Sequence, residues 1–236
     1  MMLKELRERV YEANMDLPRH GLVVFTWGNA SEFDPARGLF AIKPSGVDYD
    51  ELSPESMVVC DLEGKVVEGE LNPSSDTATH AAIYRAWGEK VRGVVHTHSP
   101  WAVAWAQAGR DVPAYGTTHA DYFYGPVPCM RGLTEAEIED AYEANTGKVI
   151  VEGLAERGLD PAAVPGALVR SHGPFTWGKD AFAAVYHAVV LEEVAKMAAR
   201  TEQLAVDASP APQHLLDRHY LRKHGPGAYY GQEGAR

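Results

Sequence analysis

The feature that most constrains this chain is segment 93–99, with the sequence Gly-Val-Val-His-Thr-His-Ser. Val94 and Val95 are β-branched and favour a buried strand, in which side chains two residues apart point to the same face. His96 and His98 are therefore expected to present their imidazoles side by side. Two neutral imidazoles are half of a tetrahedral metal site, and a catalytic zinc site needs one more protein ligand and an open position. A His-x-His pair is also found on ordinary half-exposed strands, so a third ligand has to be identified.

A third histidine follows another apolar segment. Residues 166–169 are predicted to form a buried strand, after which His172 precedes a Gly-Pro turn that fixes its direction. This setting resembles that of His96, and it makes His172 the favoured third ligand. The alternative third ligands are His80, His119 and Asp76.

Two other segments suit a single phosphate group. Segment 43–46, Lys-Pro-Ser-Gly, places a cation, a hydroxyl and freely directed backbone amides within four residues. Segment 73–80 begins a predicted helix, with Ser74 or Ser75 as N-cap and Asp76 in the first turn. The amino end of a helix attracts anions. Ordinary turn and capping chemistry explains each segment alone, whereas the two together favour a phosphate pocket.

Two polar segments carry further candidates. The loop 116–125 has the sequence Gly-Thr-Thr-His-Ala-Asp-Tyr-Phe-Tyr-Gly, in which Asp121 is a candidate general acid or base. After a Pro-interrupted linker at 209–212, a basic tail contains His219 and continues to Tyr230. A tail so rich in hydrogen-bond donors is either a surface cap or a lid.

Hydrophobic periodicity predicts the elements between these segments. We expect helices over 3–17 with an end at Pro18, 76–87, 99–108, 134–158 with an interruption at Gly147, and 180–203; strands over 22–26 and 38–43; a turn at 27–31; and a hairpin with arms at 57–62 and 65–69. Strands that alternate with helices in this way favour a parallel sheet.

Composition limits the class of protein. The chain has 236 residues, of which 45% are hydrophobic, and this predicts one large globular domain. A net charge of −11 argues against nucleic acid or an anionic membrane as partner. Cys60 and Cys129 form no Cys-x-x-Cys pair, so both are expected to be reduced. The charged amino-terminal segment is unlike a signal peptide, and the predicted location is cytoplasmic.

Seven segments can be compared with known families. In chain order they are Thr-Trp-Gly-Asn, Lys-Pro-Ser-Gly-Val-Asp-Tyr, Pro-Ser-Ser-Asp-Thr, Val-His-Thr-His-Ser, the loop 116–125, Ser-His-Gly-Pro-Phe and His-Tyr-Leu-Arg-Lys-His-Gly. Together they resemble the L-ribulose-5-phosphate 4-epimerases of the class II aldolase/epimerase superfamily. The resemblance extends from about Leu3 to Gln232 with no departure at a motif position, and residues 233–236 are an unmatched extension.

The resemblance implies a fold and an assembly. The fold is α/β, a single three-layer α/β/α domain over residues 1–236 with a mixed, largely antiparallel central sheet. The assembly is a homotetramer with its sites between subunits. The tail, about 210–236, contributes to a neighbouring subunit's site.

The resemblance also implies site residues and a reaction. The metal group is His96, His98 and His172, with Asp76 beside the metal; the phosphate pocket is Asn29, Lys43, Ser45, Gly46, Ser74 and Ser75; the acid/base pair is Asp121 and Tyr230, the latter from an adjacent subunit; and His219, also from a neighbour's tail, lines the same pocket. The implied cofactor is one Zn²⁺ per subunit, although imidazole sites accept other divalent first-row metals. The implied reaction interconverts L-ribulose 5-phosphate and D-xylulose 5-phosphate by cleaving and re-forming the C3–C4 bond.

Two rival hypotheses share this scaffold. An aldolase that releases its fragments is disfavoured, because Asp76 stands where the related aldolases have the longer glutamate. A non-catalytic domain like the adducin head lacks the metal site, and the three histidines argue against that alternative.

Overall fold

The computed structural model describes residues 3–229 of the chain. Within that range the α-helices are α1 (Lys4–Arg19), α2 (Thr77–Trp87), α3 (Pro100–Ala108), α4 (Thr117–Ala120), α5 (Glu135–Glu156), α6 (Ala181–Leu204) and α7 (Gln213–His224), and two 3₁₀ helices span Tyr49–Glu51 and Pro54–Ser56. The strands are β1 (Asn29–Asp34), β2 (Leu39–Ile42), β3 (Val58–Asp61), β4 (Val66–Glu68), β5 (Gly93–His96), β6 (Cys129–Met130), β7 (Gly166–Val169) and β8 (Gly173–Gly178). None of these helices has the length and apolar character that crossing a lipid bilayer requires.

The eight strands form one sheet in the order β4-β3-β2-β1-β5-β8-β7-β6. Every neighbouring pair is antiparallel except β6 and β7, which are parallel. The parallel sheet favoured by element alternation is therefore wrong, and the mixed, largely antiparallel sheet implied by the resemblance is confirmed. The reason lies in the connections: α5 links two strands that are neighbours, whereas α2 links β4 to β5, which lie apart in the sheet.

Both faces of the sheet are buried, because successive residues on a strand enter different cores. Val94 belongs to a cluster with residues of α2 and α5, whereas Val95 belongs to a cluster with residues of α1 and α6. A third cluster joins α3 to α6. The structure is therefore three-layered, with α2 and α5 on one face and α1, α3 and α6 on the other.

The first predicted strand is wrong, since residues 22–26 form a loop and β1 begins at Asn29, inside the predicted turn. Val24 and Phe25 are β-formers, but they are 49% and 77% exposed and find no partner strand in the described sheet. Phe25 has a φ of 53°, in the left-handed region. Asn29 and Ser31 enter a strand because β2 and β5 pair with it on both sides, so pairing outweighs local propensity.

Several boundaries differ in detail. α2 has Asp76 at its N-cap, so neither serine holds that position. α5 runs through Gly147, and its non-helical residue is Ala141 instead. The predicted Gly-Pro turn after His172 is the start of β8. The end of α1 next to Pro18 and the other predicted elements agree with the structure to within one or two residues.

Candidate metal and phosphate site

The three predicted imidazoles lie together at one edge of the sheet. His96 ends β5, His98 follows two residues later, and His172 directly precedes β8, the strand that pairs with β5. One potential ligand atom from each ring lies within 4.8 Å of the others, and the Nε2 atoms of His96 and His98 are 3.0 Å apart. Antiparallel pairing of β5 with β8 thus brings residues from distant parts of the sequence onto one centre.

The hydrogen bonds of His96 define which of its nitrogens is free. Its Nδ1 lies 2.9 Å from the carbonyl oxygen of Pro174. Because a carbonyl only accepts, Nδ1–H is the donor, and Nε2 keeps its lone pair towards the other two rings. Burial, followed by the neighbouring imidazole charges, lowers the pKa of His96 and of His172 to about 3. Both rings are therefore neutral at neutral pH, which is the form that binds a metal.

The residues fit a divalent cation. Three imidazoles with converging ring nitrogens form the His₃ donor set of catalytic metal sites, which leaves a fourth position for substrate. The Nε2 atoms of His96 and His98, 3.0 Å apart, are close enough for one cation to bind both. Tyr142 supports the set, since its hydroxyl lies 3.3 Å from Nδ1 of His172.

Asp76 lies beside this cluster without belonging to it. The described residues whose potential ligand atoms lie within 4.8 Å of one another are the three histidines, and Asp76 is not among them. Its Oδ2 instead accepts a hydrogen bond of 2.7 Å from Nδ2 of Asn29. Asp76 therefore orders Asn29 and adds negative charge near His172.

The imidazoles and the predicted phosphate residues share one cavity of about 590 Å³. The six residues of the predicted phosphate pocket all line it: Asn29, Lys43, Ser45, Gly46, Ser74 and Ser75. The lining also includes Asp76, His96, His98 and His172. An isolated bridge between Pro44 and Pro73 holds the two turns side by side. The amide of Ser74 also donates to the carbonyl oxygen of Lys43, at 3.0 Å.

Lys43 supplies the positive charge of the cavity. It is only 1% exposed, and its Nζ donates to the carbonyl oxygen of Val47 at 2.7 Å. The ammonium also lies 4.9 Å from the ring centroid of Tyr49. Burial lowers the pKa of Lys43 to about 8. The group is thus a cation at neutral pH with little water around it, which strengthens its attraction for an anion.

Two residues that line the cavity were not predicted from the sequence as site residues. Tyr142 and Glu143 line the cavity from α5, next to the non-helical residue Ala141. Thr79 of α2 donates a side-chain hydrogen bond of 2.6 Å to the carbonyl oxygen of Glu143. No glycine or proline marks this irregularity, so the sequence around 141 gave no signal that it would turn two side chains towards the metal cluster.

The predicted acid/base residues lie elsewhere. Asp121 follows α4, and its Oδ1 is 3.0 Å from Nδ1 of His219 on α7 of the same chain. Neither residue is among the described residues that line the cavity. Tyr230 lies outside the described residues. The structure therefore brings the predicted residues together in two sets, one around the metal cluster and one around Asp121.

Fold and site together define a class of protein. Residues 8–199 match the sequence model of the family described as "Class II Aldolase and Adducin N-terminal domain". The chain belongs to this family, and its mixed sheet and three-histidine cluster agree with the family expectation.

Particular relatives extend the match. The chain is 56% identical over 231 residues to the L-ribulose-5-phosphate 4-epimerase UlaF of Salmonella paratyphi C (strain RKS4594), and the match covers 98% of this chain and 100% of the relative. Among solved structures, an L-fuculose 1-phosphate aldolase superposes with a TM-score of 0.76 at 24% identity, over 93% of this chain and 96% of that one. The L-fuculose-1-phosphate aldolase of Thermus thermophilus has a TM-score of 0.63 at 27% identity, over 88% and 98% of the two chains.

Proposed function

We propose that this protein is an L-ribulose-5-phosphate 4-epimerase that interconverts L-ribulose 5-phosphate and D-xylulose 5-phosphate. The observation that carries the proposal is the single cavity that joins three converging imidazoles to a buried lysine and two serine-containing turns. The near full-length relationship to the Salmonella enzyme, at 56% identity, supports the same substrate. A phosphorylated sugar as substrate also agrees with the expected cytoplasmic location.

The chemistry of the substrate dictates the route. C4 of L-ribulose 5-phosphate carries a hydroxyl and no acidic hydrogen, so simple deprotonation cannot invert it. Removing the proton of the C4 hydroxyl and breaking the C3–C4 bond gives glycolaldehyde phosphate, and the bonding electrons pass to the dihydroxyacetone fragment. The aldehyde then turns to present its other face, the bond re-forms, and a proton returns to the new C4 oxygen. The atoms balance without any co-reactant.

The three histidines hold the cofactor that we propose, which is one Zn²⁺ per chain. Three neutral nitrogen ligands and an open position are typical of catalytic zinc. When bound, the cation supplies Lewis acidity for the negative charge that develops on the oxygens at C2 and C3. His96 keeps its ligand nitrogen directed inward through the Pro174 hydrogen bond, and Asp76 orders Asn29 beside it.

The phosphate end of the cavity keeps the mobile fragment in place. Lys43 offers its ammonium, and the serine hydroxyls at 45, 74 and 75 and the backbone at Gly46 offer neutral donors. Gly46 has a φ of 68°, a conformation that glycine adopts without a steric cost. An aldehyde whose phosphate stays bound can rotate about its carbon–carbon bond without leaving the protein. This is the property that distinguishes epimerisation from net cleavage.

Two of the residues that we propose for proton transfer, Asp121 and the adjacent His219, do not line the cavity of the described chain. We assign Asp121 and Tyr230 as the acid/base pair, with His219 beside them. Since Asp121 and His219 of the described chain do not line its own cavity, a second copy of the chain has to deliver them. The proposed assembly is therefore a homotetramer in which the tail, about 210–236, of one subunit completes its neighbour's site, and in which Asp121 comes from the neighbour as well.

An assay of the two products tests the proposal. Metal-loaded protein is incubated with L-ribulose 5-phosphate, and D-xylulose 5-phosphate and free glycolaldehyde phosphate are quantified over time. We expect epimer formation to exceed fragment release by a wide margin, and the variant His98→Asn to form neither product. Release of fragments as the main outcome would instead identify an aldolase, and no conversion by the loaded protein would refute both activities.

A further inference from the structure

The carboxylate of Asp121 lies among the side chains of α7. Nε and Nη2 of Arg222 donate to its Oδ1 at 3.2 and 3.0 Å, and Nη2 also lies 2.9 Å from Oδ2. Nδ1 of His219 adds a third contact to Oδ1, at 3.0 Å, and Nζ of Lys223 lies 3.4 Å from Oδ2. His224 meanwhile contacts the backbone oxygen of residue 121 at 2.9 Å. One helix therefore surrounds this carboxylate from several directions.

The two carboxylate oxygens are not used equally. Three donor atoms converge on Oδ1, which fills its acceptor capacity. Oδ2 accepts one hydrogen bond from Arg222 and has Lys223 at the longer distance of 3.4 Å. The guanidinium is planar and its donor directions are fixed, so it sets the plane of the carboxylate in a way that the flexible lysine cannot. Oδ2 is thus the oxygen with room for a proton from a substrate hydroxyl.

We propose that Arg222 is a positioning residue for the epimerase reaction, because it orients Asp121 so that Oδ2 exchanges the proton with the C4 hydroxyl. The inference rests on the proposed function, in which Asp121 is one of the two proton-transfer groups. Arg222 itself acts through Asp121, and no contact between Arg222 and substrate is required.

The lowered pKa of Asp121 agrees with the number of donors around its carboxylate. Burial by itself raises the pKa of Asp121, but hydrogen bonds from Arg222 and His219, with the charge of Lys223, outweigh burial and hold the pKa below its ordinary range. Tyr122, which follows α4, also lies beside this carboxylate group, with its ring centroid 4.1 Å from the ammonium of Lys223. From α6, Tyr186 contacts the Tyr122 hydroxyl, and His187, buried nearby, contacts the carbonyl oxygen of Trp177.

The test compares two substitutions of Arg222 with wild type over a range of pH. Arg222→Gln removes both the positive charge and the planar guanidinium, whereas Arg222→Lys keeps the charge and loses the guanidinium. Asp121→Asn is the reference for a lost proton-transfer group, and Arg19→Gln removes a matched arginine that pairs with Asp16 on the surface of α1. Metal content, thermal unfolding and oligomeric state are measured for each variant, and kcat and KM are recorded from pH 3 to pH 9, a range that extends below the ordinary pKa of an aspartate.

For Arg222→Gln we expect kcat to fall by about 10- to 100-fold while KM changes little, since a misplaced catalytic group loses rate rather than binding. The acidic limb of kcat/KM should move to higher pH by about one unit, because an opposite charge at hydrogen-bonding distance lowers a carboxyl pKa by about that much or more. Arg222→Lys should lose kcat with an acidic limb near that of wild type. Arg19→Gln should match wild type throughout.

The outcomes separate this inference from the proposed function. If Asp121→Asn is inactive while both Arg222 variants keep wild-type kcat and acidic limb, the positioning role is refuted and the proposed function stands. If Asp121→Asn retains full turnover, the acid/base assignment fails and the inference fails with it. If Arg222→Gln does not yield folded protein, Arg222→Lys decides: a loss of kcat at unchanged metal content supports the role, and wild-type kcat refutes it.

Discussion

At the scale of single residues, the buried ammonium of Lys43 shows how burial adjusts a binding group. Its side chain is almost fully shielded, and its hydrogen bonds to the carbonyl oxygens of Val47 and Pro44 use two of its three donors. The third donor is left for a phosphate. The lowered pKa, about 8, means that the cationic form predominates at neutral pH and is lost a little above it.

Substrate binding should therefore weaken as pH rises. Below pH 8 Lys43 is protonated and attracts phosphate, whereas above pH 8 the group becomes neutral and the charge-assisted hydrogen bond is lost. We expect kcat/KM for L-ribulose 5-phosphate to decline through that pH, and Lys43→Met to raise KM by about 10- to 100-fold, the equivalent of losing one charged hydrogen bond. Steady-state kinetics of both proteins from pH 6.5 to pH 9.5 checks this. A variant with wild-type KM at pH 7 would contradict it.

The sequence predicted those site residues that lie next to one another along the chain. The segments around Lys43, Ser74 and His96 each combine functional groups with a turn or strand end, so local chemistry was enough to identify them. Tyr142 was not identified, because its place in the cavity depends on the irregularity at Ala141 and on the packing of α5 against α2. No short-range pattern encodes that packing.

At the scale of elements, the contact between α2 and α5 positions one wall of the cavity. α2 begins beside Asp76, and α5 carries Tyr142 and Glu143. Gly147 lets the two helices approach closely, since a Cβ built there would lie 2.6 Å from Cβ of Ala82 and 3.0 Å from the carbonyl oxygen of Thr79. This close approach also explains why a glycine expected to interrupt the helix lies inside it.

Gly147→Ala should consequently destabilise the protein. Alanine at a helical site gains about 1 kcal/mol in helix propensity over glycine, but overpacking against a backbone oxygen and a short side chain costs about 1–3 kcal/mol. We expect a net loss of stability in urea unfolding, together with a lower kcat as the cavity wall moves. Gly132→Ala is the control, since nothing lies within 4 Å of the position that its new methyl group would take. Equal stability of the two variants would show that the helices can separate at little cost.

Elements marked by their own turn residues or hydrophobic periodicity were predicted well, whereas β1 and the direction of the sheet, which depend on strand pairing, were not. The hairpin β3–β4 and helix α6 follow from turn residues and periodicity. β1 was missed because its polar residues Asn29 and Ser31 are buried by pairing with β2 and β5. Sheet direction also depends on which strands meet, so it came from the family resemblance and not from element order.

At the scale of the whole molecule, the proposed reaction uses two sets of residues that lie apart in the described chain. The metal cluster and phosphate turns share a cavity, and Asp121 with α7 forms the second set. A net charge of −11 surrounds a site for an anion, so local donors such as Lys43 have to outweigh the overall repulsion. In the proposed assembly, Asp121 and α7 of one chain lie against the cavity of another chain, so the two sets come together.

Mixed assemblies test this arrangement. His98→Asn removes a proposed metal ligand and Asp121→Asn removes a proposed proton-transfer group, so each variant should be nearly inactive alone. Equal amounts of the two variants are unfolded together and refolded, so that their chains mix at random. If each site combines the metal set of one chain with the Asp121 set of another, about one site in four receives an intact copy of both sets. Activity measured before and after mixing should rise to about that fraction of wild type. Mixed assemblies that stay inactive would place both sets within one chain.

The most direct test of the central claim is the dependence of turnover on metal held by the three histidines. The purified protein is analysed for metal, stripped with a chelator and reloaded, and epimerisation of L-ribulose 5-phosphate is measured at each stage. We predict about one divalent cation per chain, no turnover in the stripped protein and recovery on reloading, with His172→Asn failing to recover. Full turnover by the completely stripped protein would contradict the account.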